Sequence, residues 1–196
     1  MAKANHTSRW NKLLALGTFL ALLLSTGFAG LQWYEMRRAL QVDQRAWISV
    51  VGPPNFPLEG AAIPASIQIA NTGKTPAKHV EGDVIATVLK KGEEPSFDFS
   101  TGHPHTKIRT GVIFPNAPFN VTIPVARYGA HSEETIVPTP ELRQEIANGE
   151  SFILFIGKIS YVDIFGTSHW TSFCTEAGSA TGDVKKCVSY NDVDDN

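Results

Sequence analysis

The sequence predicts a mainly β domain, an antiparallel β-sandwich of seven or eight strands with one short helix, preceded by a single N-terminal transmembrane helix. Three observations support this prediction. The run Leu13–Leu31 contains no charged residue. From Ala46 onward, short β-rich runs alternate with Pro and Gly turn signals, as in sandwich domains. One segment, near residue 140, carries the capping signals of a helix.

The apolar run is long enough to cross a bilayer. At about 1.5 Å per residue it spans roughly 28 Å, close to the ~30 Å thickness of the hydrocarbon core. Trp10 precedes the run, and Trp33 and Tyr34 follow it, which matches the aromatic belts of membrane-spanning helices. We therefore expect residues 13–34 to form a membrane helix that follows a short basic segment, residues 1–12.

A cleaved signal peptide is the alternative to a retained anchor. The small-x-small sequence Gly27–Ala29 offers a peptidase site, but the apolar run exceeds the ~7–15 residues of a signal-peptide core. Three cations on each side of the run leave the flanking charge nearly balanced. The short basic leader and the cysteine content favour a cytoplasmic N-terminus. The predicted location is thus the cell (inner) membrane, with the C-terminal domain outside or periplasmic.

The charge of the chain is divided between its two parts. Residues 1–45 carry six Lys/Arg against two Asp/Glu, a net +4, whereas residues 46–196 carry 11 against 17, a net −6. A mildly acidic domain is not expected to bind nucleic acid, which requires a basic surface. We expect residues 35–45 to form a polar stalk, residues 46–190 the β-sandwich domain and residues 191–196 an acidic tail.

Eight segments have the composition of strands. The segment Ser151–Val162 is the longest and the most apolar, so it is the predicted central strand. The predicted strands are 46–51, 62–70, 80–89, 112–114, 119–125, 151–162, 167–174 and 185–190.

The single helix is predicted from its two ends. Thr139 is a suitable N-cap, Pro140 fits the first helical position, and Glu141 favours the positive end of the helix dipole. Asn148 and Gly149 provide a C-terminal stop.

The segment Asn71–Ala77 (NTGKTPA) joins two predicted strands. We expect Gly73 to supply a positive φ, Asn71 to bond the backbone of its own turn, and Pro76 to restrict the exit from the turn. In these residues the sequence resembles immunoglobulin-like modules of bacterial envelope proteins, in which N-x-G-x-T-P-A links consecutive strands. The resemblance implies an immunoglobulin-like β-sandwich and no particular activity.

A second group of motifs lies near the C-terminus. The chain reads Y-x-D-x-F-G at 161–166, T-x-F-C at 171–174 and C-x-x-Y-N at 187–191. Together with the N-terminal helix, these motifs resemble uncharacterised bacterial single-pass membrane-anchored proteins with an immunoglobulin-like β-sandwich domain. That group has no established activity, so the resemblance implies a topology and no catalytic residues. Within the first motif we expect Asp163–Gly166 to form the turn of a hairpin.

The two cysteines, Cys174 and Cys187, are the predicted disulfide. Their spacing suits two adjacent strands, and an exported domain meets an oxidising environment. The alternative, metal ligation, is weaker because two thiols without a nearby C-x-x-C or H-x-x-x-H make a poor zinc site.

The histidines suggest a second metal hypothesis. His103 and His105 form an H-x-H pair in a Ser/Thr/Gly-rich loop, and His131 or His169 could complete a site if the fold brought it near. A solvated loop is the expected outcome, and no metal or cofactor is predicted.

The function predicted from these features is a membrane-tethered, non-enzymatic module. No nucleophile elbow, phosphate-binding glycine loop or dinucleotide fingerprint is present, so no catalytic residue is assigned. The expected partners are the lipid bilayer and another envelope or membrane protein. Two alternatives stay open: an accessory subunit held mainly through its transmembrane helix, and a metal-dependent hydrolase that uses the histidines.

Overall fold

A computed structural model describes residues 4–55, 64–93, 105–127, 136–137, 139–178 and 184–194. The chain divides into two units, Met1–Gln44 and Arg45–Asn196, and the second contains all the strands. The division falls one residue before the predicted end of the stalk. His103 and His131 lie outside the described residues.

The first unit consists of one helix, α1 (Ala4–Gln44). The helix is long enough, over Trp10–Gln44, to cross a membrane, and its most apolar 18-residue window has a mean hydropathy of 1.9. Its hydroxyl groups bond within the helix, since Thr18 and Thr26 each donate at 2.8 Å to the carbonyl four residues earlier. Such internal pairing suits a lipid environment, where no water is available. Of the expected stalk, residues 35–45, all but the last residue are helical.

The second unit is rich in β-structure. Its one described helix is α2 (Pro140–Asn148). Its described strands are β1 (Ile48–Val50), β2 (Pro64–Asn71), β3 (Ala77–Lys90), β4 (Thr106–Ile113), β5 (Phe119–Arg127), β6 (Ser151–Val162), β7 (Ser168–Ala177), β8 (Val184–Lys186) and β9 (Asp192–Val193).

These strands form a curled, mixed sheet rather than a purely antiparallel one. The order is β1-β2-β5-β3-β6-β7-β8, with β4 also paired to β3 and β9 to β7. The first part of β5 is antiparallel to β2, but its last residues, Val125–Arg127, run parallel to β3. β3 can accept them because it is 14 residues long and β4 covers only its first half, Ala77–Val84. The purely antiparallel immunoglobulin-like sandwich is therefore not confirmed.

The main core lies inside the curl of the sheet. Ile67 of β2 and Ile123 of β5 belong to the same buried cluster as Phe155 of β6 and Phe173 of β7. β6 is buried on both faces, because Leu154 belongs to a smaller cluster on the other side. Its bounds and its central position, between β3 and β7, agree with the prediction.

The N- and C-terminal ends of α2 also agree with the prediction. The Thr139 hydroxyl accepts from the amide of Leu142, and Gly149 adopts the left-handed conformation with φ 73°. By contrast, β4 begins at Thr106 rather than residue 112, because its first half is polar except for Ile108 and gives no strand-like alternation.

The turn after β2 has the predicted hydrogen bonds but a different role for its glycine. Asn71 Oδ1 accepts the Gly73 amide at 2.9 Å and the Trp47 amide at 3.1 Å. Gly73 is not among the residues with positive φ, so that expectation is wrong. A methyl group on Gly73 would lie 2.6 Å from the Trp47 nitrogen and 2.8 Å from Ala46 Cα. Glycine is needed here because the backbone of residues 45–47 passes directly against the turn.

We expect Gly73→Ala to lower the free energy of unfolding by about 1–3 kcal/mol, the usual cost of overpacking a tight site. The atoms that oppose the new methyl group are backbone atoms, which cannot rotate away. Gly111→Ala is the matched control, because no atom lies within 4 Å of a methyl group at that position of β4. Urea unfolding of both variants checks the prediction, and equal stabilities would contradict it.

Candidate functional site

Four ionisable side chains from distant parts of the chain meet in the interior of the domain. They are Arg45, the first residue after α1; Asp163, after β6; His169, on β7; and Asp194, after β9. Each residue is at most 6 % exposed. We call this group the ionic cluster.

The histidine lies between the two carboxylates of the cluster. His169 Nδ1 is 2.7 Å from Asp194 Oδ2, and His169 Nε2 is 3.0 Å from Asp163 Oδ2. Arg45 Nη1 approaches the same Asp194 oxygen at 3.5 Å. Each buried carboxylate therefore faces a histidine nitrogen, and Asp194 also faces a guanidinium group, as buried charges require partners.

Backbone amides complete the carboxylate contacts. Asp163 Oδ1 accepts from the amides of Phe165 and Thr167, both at 2.9 Å, and so closes the turn between β6 and β7. Gly166 occupies the positive-φ position of that turn with φ 86°. The predicted hairpin turn at Asp163–Gly166 is confirmed. The Asp of the Y-x-D-x-F-G motif thus has two roles, in the turn and in the ionic cluster.

The electrostatic setting of Asp194 favours its charged form. Burial raises the pKa of this carboxyl, but the hydrogen bond from His169, the amide of Trp170 and the charges of His169 and Arg45 outweigh it. The net result is a pKa below the ordinary 3.8. Beside the cluster, burial raises the pKa of the Tyr161 phenol, whose hydroxyl donates to the carbonyl of Ala46 at 3.3 Å.

The carboxylates hold both nitrogens of His169, so the ring has a fixed orientation within the cluster. The cluster joins the first residue of the domain, a hairpin turn and the C-terminal segment.

Asp194 lies in the predicted acidic tail; in the structure, Asp192 and Val193 form β9 and Asp194 is buried. No local pattern could have paired Arg45 with Asp194, since their contact depends on the fold.

The C-terminal segment Cys187–Asp194, which we call the strap, lies along the edge of β7. Cys174 and Cys187 are at disulfide distance, with Cα atoms 5.4 Å apart. The Asn191 side chain accepts from the Cys174 amide at 3.1 Å and donates to the Cys187 carbonyl at 2.9 Å. The Cys and the Asn of the C-x-x-Y-N motif therefore both contact the same residue of β7, Cys174.

A groove of about 390 Å³ lies between β1, β7 and the strap. Val50, Phe173 and Val193 provide its apolar surface, and Ser49, Thr175 and Asn191 provide polar groups. β1 is the end strand of the sheet and pairs only with β2 among the described strands. We call this feature the seam groove. Its volume falls in the range of small binding sites.

The two candidate histidines among the described residues, His105 and His169, do not come together. His105 Nε2 lies 3.5 Å from Asp83 Oδ1, and Asp83 pairs with Lys158 of β6. His169 pairs with Tyr161 of β6. Because Lys158 and Tyr161 are three residues apart on one strand, they lie on opposite faces of the sheet. No group of three or more His, Cys, Asp or Glu that could hold a metal ion occurs among the described residues.

No protein-family model and no curated protein matches this sequence.

The lowered pKa of Asp194 predicts a loss of stability in acid. Between the lowered folded value and the unfolded value near 3.8, the unfolded chain binds more protons than the folded protein. The stability contributed by Asp194 is therefore present above about pH 4 and is lost as pH falls through the folded pKa. Urea unfolding between pH 6 and pH 2.5 should show this loss. Asp194→Asn should reduce the pH dependence, whereas Asp192→Asn, at an exposed neighbour, should retain it.

Proposed function

We propose that this protein is a membrane-tethered, non-enzymatic module whose β domain binds another envelope or membrane protein. The observation that supports this role most directly is the seam groove. It combines an apolar surface with the end strand of a sheet, the combination that binds extended peptide segments. We infer that an extended segment of the partner pairs with β1 and places apolar side chains against Val50 and Val193.

We further propose that α1 is retained as a signal-anchor in the inner membrane, with a cytoplasmic N-terminus and a periplasmic domain. The cysteine pair at disulfide distance supports an oxidising location for the domain, because disulfides persist in such compartments. We also propose an immunoglobulin-like classification and membership of the bacterial single-pass group. The hydrogen bonds of the N-x-G-x-T-P-A turn and the contacts of the C-x-x-Y-N motif support that assignment.

Site-specific photo-crosslinking in the native membrane tests the binding role. A crosslinking amino acid replaces Val50 or Val193, both on the groove, and Lys107 on the exposed face of β4 serves as the control. We expect the two groove positions to yield the same discrete adduct with another protein and the control position to yield none. Failure to form an adduct at the groove, or an identical adduct at Lys107, would contradict the proposal.

A further inference from the structure

Hydrogen bonds and ion pairs connect three turns around the first residues of the domain. The Asn71 side chain donates to the Ile113 carbonyl at 3.1 Å, and the backbone carbonyl of Asn71 accepts from the Asn116 amide at 2.8 Å. The same side chain accepts from the amide of Trp47. The ionic cluster connects Arg45 to the turn after Asp163. We call this end of the domain the loop end. It comprises residues 71–78, 112–118 and 163–167, which are three turns with the adjoining strand ends.

The loop end exposes large apolar side chains on rigid turns. Phe114 is 62 % exposed, and Ile164 and Phe165 are each 42 % exposed. The Asn116 contact with Asn71 holds the turn that carries Phe114, and Asp163 caps the turn that carries Phe165. Exposed apolar side chains that share one end of a domain are available for contact with another apolar phase.

The charge of the loop end is opposite to that of the domain as a whole. Lys74 and Lys78 are exposed there, and the described residues of the three turns include no exposed Asp or Glu, since Asp163 is buried. Residues 46–196 carry a net charge of −6. A basic and apolar surface on an acidic domain complements an anionic bilayer, which attracts Lys and accepts Phe at the headgroup boundary.

Chain connectivity brings such a surface within reach of lipid. Residues 35–44 separate the aromatic end of the apolar run from Arg45, and a helix of that length spans about 15 Å. We propose that the loop end docks on the anionic surface of the membrane that α1 crosses, with Phe114 and Phe165 inserted among the headgroups. This contact would be independent of the seam groove, which binds a protein.

Quenching by brominated lipids tests this proposal on the full chain. The protein is reconstituted into phosphatidylcholine vesicles with or without about 30 % phosphatidylglycerol, the anionic component. A genetically encoded fluorescent amino acid replaces Phe114 or Phe165. The matched control position is Val188, a fully exposed apolar residue of the strap. We expect strong quenching at both Phe positions in anionic vesicles and none at Val188.

A charge variant tests the role of the lysines. Lys74→Gln with Lys78→Gln should lower the ratio of docked to free domain by about 30-fold in anionic vesicles, since each surface lysine contributes roughly tenfold or less. Circular dichroism checks that the variant is folded. Probes at 114 and 165 that are quenched no more than the probe at 188 would overturn the proposal. Equal quenching of the lysine variant and the wild type would overturn its electrostatic part.

Discussion

Asp194→Ala is expected to lower the free energy of unfolding by about 3–5 kcal/mol, the usual effect of removing one partner from a buried ion pair. Asp194 contacts both His169 and Arg45, and its other oxygen accepts from the amide of Trp170 at 3.3 Å. Its removal takes away the carboxylate that faces both Arg45 and His169. The loss should be large because each residue of the cluster is at most 6 % exposed.

Denaturant unfolding of the full chain in detergent, followed by tryptophan fluorescence, measures this effect. Trp47 and Trp170 lie directly beside the cluster and report its loss. Asp192→Ala is the matched control, because Asp192 is an exposed carboxylate two residues away on the same strap. It should change the stability by less than about 0.5 kcal/mol. Similar losses in the two variants would show that the cluster contributes no specific stabilisation.

Replacement of Cys174 and Cys187 by alanine together is expected to cost about 3 kcal/mol, mainly because the crosslink restricts the unfolded chain. The sequence separation of 13 residues between the cysteines sets this magnitude. Loss of the crosslink also frees one end of the strap, whose other end is held by Asp194. The expected result is a lower unfolding midpoint and faster proteolysis within residues 187–194.

Reduction of the wild-type protein provides the matched comparison. A thiol reductant should destabilise the wild type by about as much as the double alanine variant is destabilised. The variant itself should not respond to reductant. If the wild type does not respond either, and its thiols react rapidly with an alkylating reagent, the two cysteines are not bridged.

Local features of the sequence predicted local features of the fold. The bounds of β6, the caps of α2 and the hairpin turn after Asp163 each depend on residues close in sequence, and each agrees with the structure. The course of β5 could not be predicted in this way. The last residues of β5 pair with the second half of β3, about 40 residues earlier in the chain, which β4 does not cover. No pattern of residues within β5 indicates this pairing.

The candidate site was less predictable than the fold for a related reason. His169 is recognisable as a titratable residue, but the partners that define its role are separated from it along the chain. Asp194 belongs to an acidic segment whose composition suggests a solvated tail. Its burial is favourable only because the fold supplies Arg45 and His169 as partners. At Gly73 the sequence predicts a glycine that supplies a positive φ. The structure instead requires glycine because residues 45–47 approach closely, and this tertiary contact has no local sequence signal.

We propose that the β domain, rather than α1, binds the partner protein. Quantitative co-purification from the native membrane tests it with three full-length proteins: the wild type, a form with residues 13–34 exchanged for an unrelated membrane helix, and Val50→Asp with Val193→Asp in the seam groove. We expect the helix exchange to retain the partner and the groove variant to lose it. Retention of the partner by the groove variant, with loss on helix exchange, would contradict binding by the β domain. It would favour an accessory subunit held through its helix.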